Sequence, residues 1–299
     1  MDLAKKIDIH AHVTMWPDTT PVSKRFKQPF LNVENQIRMW DEVNVVHGIL
    51  LPIVSMEAQM GLMTNEACHY IAQQHPEKFS WFCNIDPRAM NNRPDTDLSY
   101  MIEHYKNLGA KGVGEITSNL YADDPMMDNL FYHCAACDMP VIIHIAPEPQ
   151  GFYGIIDDPG LPRIEKMLKK HPDLKLIGHS ASFWSEISVC APEEREGYPT
   201  GPVKEGRIAQ LMREYDNLYC DLSAGSGSNA MTRDPQYAVQ FLTEFADRVY
   251  FGCDLCRTTN VNHTHLSNFL QKLADTGALS QEVYQKICWD NAAKLLGIE

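Results

Sequence analysis

No stretch of this 299-residue chain approaches the roughly eighteen consecutive apolar residues that a membrane-spanning helix needs. No apolar segment of the secretory kind precedes the first strand-like run at 6–11. Basic charge is scarce as well: 26 Lys and Arg face 39 Asp and Glu, for a formal net charge of −13. Nucleic-acid binding starts from a basic footprint, so this balance argues against it. A small anionic substrate stays open, because it needs only one or two local cations. Linker-like and low-complexity stretches are missing. The nine cysteines are an odd number at scattered positions, so no disulfide framework is expected. The tight pair Cys134-Ala-Ala-Cys137 has no second C-x-x-C and reads as helix packing. These absences predict one domain over 1–299, a cytoplasmic location, a small-molecule partner, and no nucleic acid or membrane partner. The chain is compatible with a homo-oligomer.

What is present is a repeating pattern. Short apolar, β-branched runs fall at 6–11, 45–53, 78–85, 111–116, 139–145, 174–179, 217–222 and 248–254. Most are continuously apolar, as parallel strands covered on both faces should be. Helical faces lie between them: Leu98, Met101, Ile102, Tyr105 and Leu108 share one, and Asp124-Pro125 reads as an N-cap followed by proline at the first helical position. A last helix is expected at about 280–296. Eight β-then-α units predict an α/β (β/α)8 TIM barrel. No glycine-rich phosphate turn follows the first strand, which disfavours a doubly wound open sheet. Three long, proline-bearing loops, 13–32 (Pro17, Pro21, Pro29), 146–160 and 180–203, would cover the C-terminal face, where barrel active sites lie.

The ends of these strands carry polar groups. His10 and His12 close the first run in IDIHAH, and in a strand positions i and i+2 share a face. With 12 histidines in the chain, about half an His-x-His pair is expected by chance, so the pair alone decides nothing. Glu115 ends GVGE, His144 ends PVIIH, His179 ends KLIGH and Asp254 ends YFGCD. Six groups able to ligate therefore fall at the same end of five strands, where a barrel would bring them to one rim. Imidazole and carboxylate donors suit Zn²⁺ or a similar divalent ion with a position left for water. Any one of these histidines alone would read better as a satisfied rim residue; the set favours a metal. For Glu115 the ligand and structural readings stand level. His47 lies early in its strand and reads as structural, and Asp86 leans the same way.

These residues resemble the amidohydrolase superfamily, and most closely its amidohydrolase-related branch, which includes aminocarboxymuconate-semialdehyde decarboxylase and resorcylate-type decarboxylases. The match runs over nearly the whole chain, through IDIHAH, VIIH, LIGH, FGCD and the closing NAAKLLGI. The resemblance implies that His10, His12, His144 and Asp254 hold one metal ion, with Glu115 as a further ligand and a second ion in a two-metal version. His179 would orient the water or join that second ion, and Asp254 would also move the proton. The best-known two-metal members carry a carbamylated lysine on the fourth strand. Here Lys111 comes too early, and Glu115 in GVGEI looks like the glutamate of TatD-type deoxyribonucleases, a function the net charge opposes. The implied reaction is hydrolysis of an amide, ester or lactone, with non-oxidative decarboxylation as the alternative. Trp16, Phe152, Tyr153, Phe183 and Trp184 are candidate substrate walls, each of which could equally be loop packing. Arg257 could pair with a substrate carboxylate or form a surface ion pair.

Overall fold

The computed structural model describes residues 3–20, 22, 27–58 and 63–298; Pro21 lies outside them. Among the described residues nine strands run in chain order: β1 (Lys6–Ala11), β2 (Val45–Leu50), β3 (Phe79–Trp81), β4 (Val113–Ile116), β5 (Val141–Ala146), β6 (Ile155–Ile156), β7 (Leu176–His179), β8 (Leu218–Asp221) and β9 (Val249–Tyr250). Every pairing among them is parallel. Two arcs, β1-β2-β3 and β4-β5-β7-β8-β9, make up the sheet. Backbone bonds close both seams: Cys83 N–H donates to Gly112 O at 2.9 Å, and Ile9 N–H to Phe251 O at 3.2 Å. The result is the expected barrel of eight strands. The two-residue β6 is an addition, paired at the upper end of β5 through Ile145 and Ala146.

The helices are α1 (Val33–Asp41), α2 (Asn65–Gln74), α3 (Ser99–Asn107), α4 (Pro125–Ala136), α5 (Pro162–Lys170), α6 (Ala181–Ser185), α7 (Arg207–Glu214), α8 (Ala224–Thr232), α9 (Pro235–Glu244), α10 (Asn262–Asp275), α11 (Gln281–Gln285) and α12 (Asn291–Leu296). Asp124 caps α4 by accepting from Met126 N–H at 2.8 Å. The expected last helix spans α11 and α12, joined by a π turn at Lys286–Asp290. None of the described helices is long and apolar enough to cross a membrane. The glycine- and serine-rich stretch AGSGSNAMT forms α8. Its small residues let the backbone seat closely: a Cβ on Gly227 would meet Leu222 O at 2.3 Å.

Two apolar layers hold the barrel. The larger lies between strands and helices. The inner one joins Ile7, Ile9, Ile49, Leu51, Phe82, Ile142 and Ile177 to Ala292, Ala293 and Leu296 of α12, which packs against β1 and β9. The strand interior is thus filled with side chains below, and the upper rim is left for polar groups.

Candidate metal centre

A change of phase in β1 builds the site. Asp8 Oδ1 accepts from His10 N–H at 2.9 Å and from Cys253 N–H at 2.8 Å, and Asp8 Oδ2 accepts from Trp40 Nε1 at 2.8 Å. The β1–β2 register shifts between Asp8 and Ala11. Such an irregularity re-aims side chains. Ile7 and Ile9 belong to the inner layer, Ala11 and Val13 to the outer one, and His10 and His12 reach the rim. Burial lifts the Asp8 carboxyl to about 6 against the pull of these hydrogen bonds.

His10 Nδ1 donates to Asp221 Oδ2 at 2.8 Å, and His12 Nδ1 donates to Leu51 O at 3.0 Å. A carboxylate and a carbonyl can only accept, so in the neutral rings both Nε2 atoms carry bare lone pairs. Those two atoms lie 3.1 Å apart. Glu115 Oε2 stands 3.3 Å from His12 Nε2 and 3.6 Å from His10 Nε2. Asp254 Oδ1 stands 3.7 Å and 3.9 Å from the same pair. Electron-rich atoms this close repel each other unless a proton or a metal cation lies among them, and nitrogen and oxygen donors suit a divalent metal. The donor set therefore fits the ion that the resemblance implies.

The other two histidines complete the rim. His144 Nδ1 donates to Glu115 Oε1 at 2.6 Å. His179 Nε2 lies 3.8 Å from Glu115 Oε1 and 3.8 Å from Asp254 Oδ2. Glu115, His144 and His179 form a group compact enough to hold an ion, as do His10, His12 and Glu115, and His10, His179 and Asp254. The six rim groups picked out in the sequence thus meet at one place. Glu115 follows Gly114, whose φ of +133° and contact with Ile142 O, 2.5 Å from where a Cβ would sit, admit only glycine. Asp254 itself adopts φ +48° and is tied down by its N–H donating to His10 O at 2.9 Å.

Asp221, which ends β8, was not among the sequence candidates. It is fully buried, and its Oδ1 faces His179 Nδ1 at 3.2 Å while Oδ2 holds His10. Burial pushes its carboxyl up, but His179 and His10 outweigh this and hold it well below the ordinary range. For His10, burial pulls downward and Asp221, Asp254 and Glu115 lift the imidazole well above its usual value. Glu115 is held low by His10 and His144 despite its burial. The signal for Asp221 was available: NLYCDL carries a carboxylate one residue before its end, at the same rim.

A cavity of about 210 Å³ opens on the cluster, lined by His12, Glu115, His144 and Asp254 and, away from them, by Phe30, Ile53, Tyr153 and Arg257. The Tyr153 ring packs at a tilt against His144, with centroids 4.5 Å apart and planes 44° to each other. Arg257 sits with its guanidinium 5.3 Å from the Phe30 ring. The other candidate walls are placed elsewhere. Trp16 is half-exposed, and neither it nor Phe152 belongs to the lining. Trp184 and Phe183 are buried between barrel and helices, with Trp184 Nε1 donating to Asp221 O at 2.9 Å. An indole buried there satisfies its N–H on the backbone of β8, so it cannot face substrate. Asp86 pairs with Arg88 at 2.7 Å, and His47 with Ser80 Oγ at 2.9 Å, both in local packing roles.

A barrel with histidine and carboxylate donors gathered at the C-terminal ends of its strands defines the class of metal-site barrel enzymes. Residues 7–298 match the family model described as Amidohydrolase, and the chain belongs to that family. Its fold is similar to that of 5-carboxyvanillate decarboxylase from Sphingomonas paucimobilis (16% identity, TM-score 0.64, 99% of each chain). It is also similar to 2,6-dihydroxybenzoate decarboxylase from Rhizobium (16%, 0.59, 99% of each chain). A third similar structure is a probable 2-pyrone-4,6-dicarboxylic acid hydrolase from Acinetobacter baumannii (14%, 0.59, 99% of this chain and 100% of the other). At these identities the likeness speaks for the fold. Among curated proteins no match is found.

Proposed function

We propose that the chain is a metal-dependent hydrolase of a small amide, ester or lactone. The observation that carries this reading is the meeting of His10 Nε2, His12 Nε2, Glu115 Oε2 and Asp254 Oδ1 at the mouth of a small, partly apolar cavity. His10, His12, His144, Glu115 and Asp254 would hold one ion, with zinc favoured by the donors. The position of Glu115 between the His10–His12 and His144–His179 pairs would also serve two ions. When bound, such an ion supplies Lewis acidity and an acidified water. Asp254 accepts the water's proton through one oxygen and passes it to the leaving group. His179, 3.8 Å from the other oxygen of Asp254, steadies that carboxylate and the incoming substrate. Glu115 keeps His144 oriented. Phe30, Ile53 and Tyr153 exclude solvent around the reacting bond, and Arg257 selects for a carboxylate on the substrate.

Arg257 in the lining also favours a second reading, non-oxidative decarboxylation, which is the reaction named for two of the similar structures. There Asp254 or His179 would deliver a proton to carbon as CO₂ leaves. A panel of lactones, amides, esters and aromatic acids, offered to the zinc-loaded protein with acid and CO₂ release followed separately, decides between the two. His12→Ala and Asp254→Asn should each abolish turnover while leaving the circular dichroism spectrum unchanged. Full activity in either variant would remove the mechanism.

A further inference from the structure

Two hydroxyls line the cavity beside the cluster and make no hydrogen bond among the described residues. Thr117 Oγ1 is fully buried and makes no hydrogen bond. Thr117 lines the same cavity as Tyr153, whose phenol forms no hydrogen bond among the described residues. A buried polar group such as Thr117 Oγ1 is rarely left unsatisfied without a functional reason, and the Tyr153 side chain is half-buried and borders the cavity. Tyr153 shares that cavity's lining with Glu115 and Asp254.

Tyr153 is also held firmly. Its ring packs against His144 at 4.5 Å. The next residue, Gly154, adopts φ +112°, and a Cβ there would meet His144 O at 2.7 Å. Gly154 N–H donates to Thr117 O at 2.8 Å. β6 follows at once and pairs with β5. The loop that carries Tyr153 is therefore fastened to the strands that carry Glu115 and His144. A hydrogen-bond donor fixed in this way costs no reorganisation when charge develops beside it.

We propose that Tyr153 is a catalytic residue, its phenol donating a hydrogen bond to the substrate carbonyl oxygen as that oxygen takes on negative charge. The role rests on the hydrolytic reading above. Of the two free hydroxyls the phenol is the stronger donor, and it reaches in from the loop rather than from the strand. Arg257 and the apolar wall are left to hold the rest of the substrate.

Tyr153→Phe keeps the ring against His144 and removes only the donor. In the zinc-loaded enzyme kcat should fall by about 10²–10³-fold, as when an oxyanion donor is deleted. KM should stay within about threefold, since the bond is made chiefly in the transition state. Metal content and Tm should match the parent protein. Calorimetry supplies a readout free of turnover: methylphosphonate, a tetrahedral anion, should bind at least about tenfold more weakly to Y153F, while planar acetate binds both proteins alike. A Y153F enzyme with parental kcat, or with parental affinity for methylphosphonate, overturns the proposal and leaves hydrolysis standing. Methylphosphonate that binds neither protein counts against it too. Release of CO₂ by the parent enzyme sinks the hydrolytic reading instead, while weakened methylphosphonate binding in Y153F would still support the donor.

Discussion

Asp221 does not line the cavity at the cluster, yet it holds two imidazoles at once, sharing His179 Nδ1 with Ser223 Oγ at 3.0 Å. With Oδ2 on His10 and Oδ1 on His179, it leaves His10 Nε2 bare and aims both rings at the rim. Trp184 holds its backbone carbonyl and Ser223 N–H donates to its side chain at 2.7 Å, so the carboxylate has little freedom. Partners of this kind are worth about 10–100-fold in metal affinity. Asp221→Asn should lose zinc affinity by that factor in a chelator competition, with the fold retained; unchanged affinity would show that the imidazoles orient themselves. The rim residues were legible in the sequence because each is a polar residue ending an apolar run, which is rare inside a barrel. Asp221 is less visible because Leu222 follows it, so its carboxylate does not stand at the very end of the run 217–222. Trp184 was misleading for a different reason. An aromatic in a loop after a strand can face either the cavity or the helices, and only the short α6, which the sequence did not announce, turns it inward.

At the scale of elements, the eight main strands lie where continuous apolar runs put them, since parallel strands must be buried on both faces. Their ends are shorter than the runs; β9 keeps only Val249 and Tyr250 of 248–254, because the chain leaves the ladder to place Asp254. β6 and α8 were not legible. Two isoleucines carry no periodicity, and glycine with serine favours loops until neighbouring helices bury them. The loop ahead of α5 is fixed by Asp157, which is fully buried and accepts from Asp158, Arg163 and Ile164 N–H at 2.8, 3.0 and 2.8 Å. Asp157→Ala should cost about 1–2 kcal/mol in urea unfolding, the range for a lost N-cap. A loss below a few tenths would mean that Asp157 does not fix the loop between β6 and α5.

Across the whole molecule an excess of acid is balanced by local clamps. Arg88 grips Asp86 at 2.7 Å and Glu57 at 2.7 Å, tying the turn at Met56–Ala58 to the segment after β3. The Arg88 hydrogen bonds hold Glu57 below the usual carboxylate range; for Asp86 burial works upward, and Arg88 outweighs it. Both groups bind protons more weakly in the folded state than in the unfolded chain. Their contribution is therefore whole above about pH 5 and is lost as acid carries the pH down through the lowered folded values. The Tm gap between the parent protein and Arg88→Met should be constant from about pH 6 to 8 and shrink below about pH 4. A gap that widens in acid would assign Arg88 another role.

The barrel, its apolar filling and its rim converge on a single claim: His10, His12, Glu115 and Asp254 share a divalent ion. Metal analysis of the purified protein beside His12→Ala tests it most directly. We predict about one equivalent of zinc or a related ion per chain, or two if Glu115 is shared, with a marked loss in His12→Ala at unchanged fold. Equal metal content in the two proteins, or none in either after zinc loading, would contradict the account.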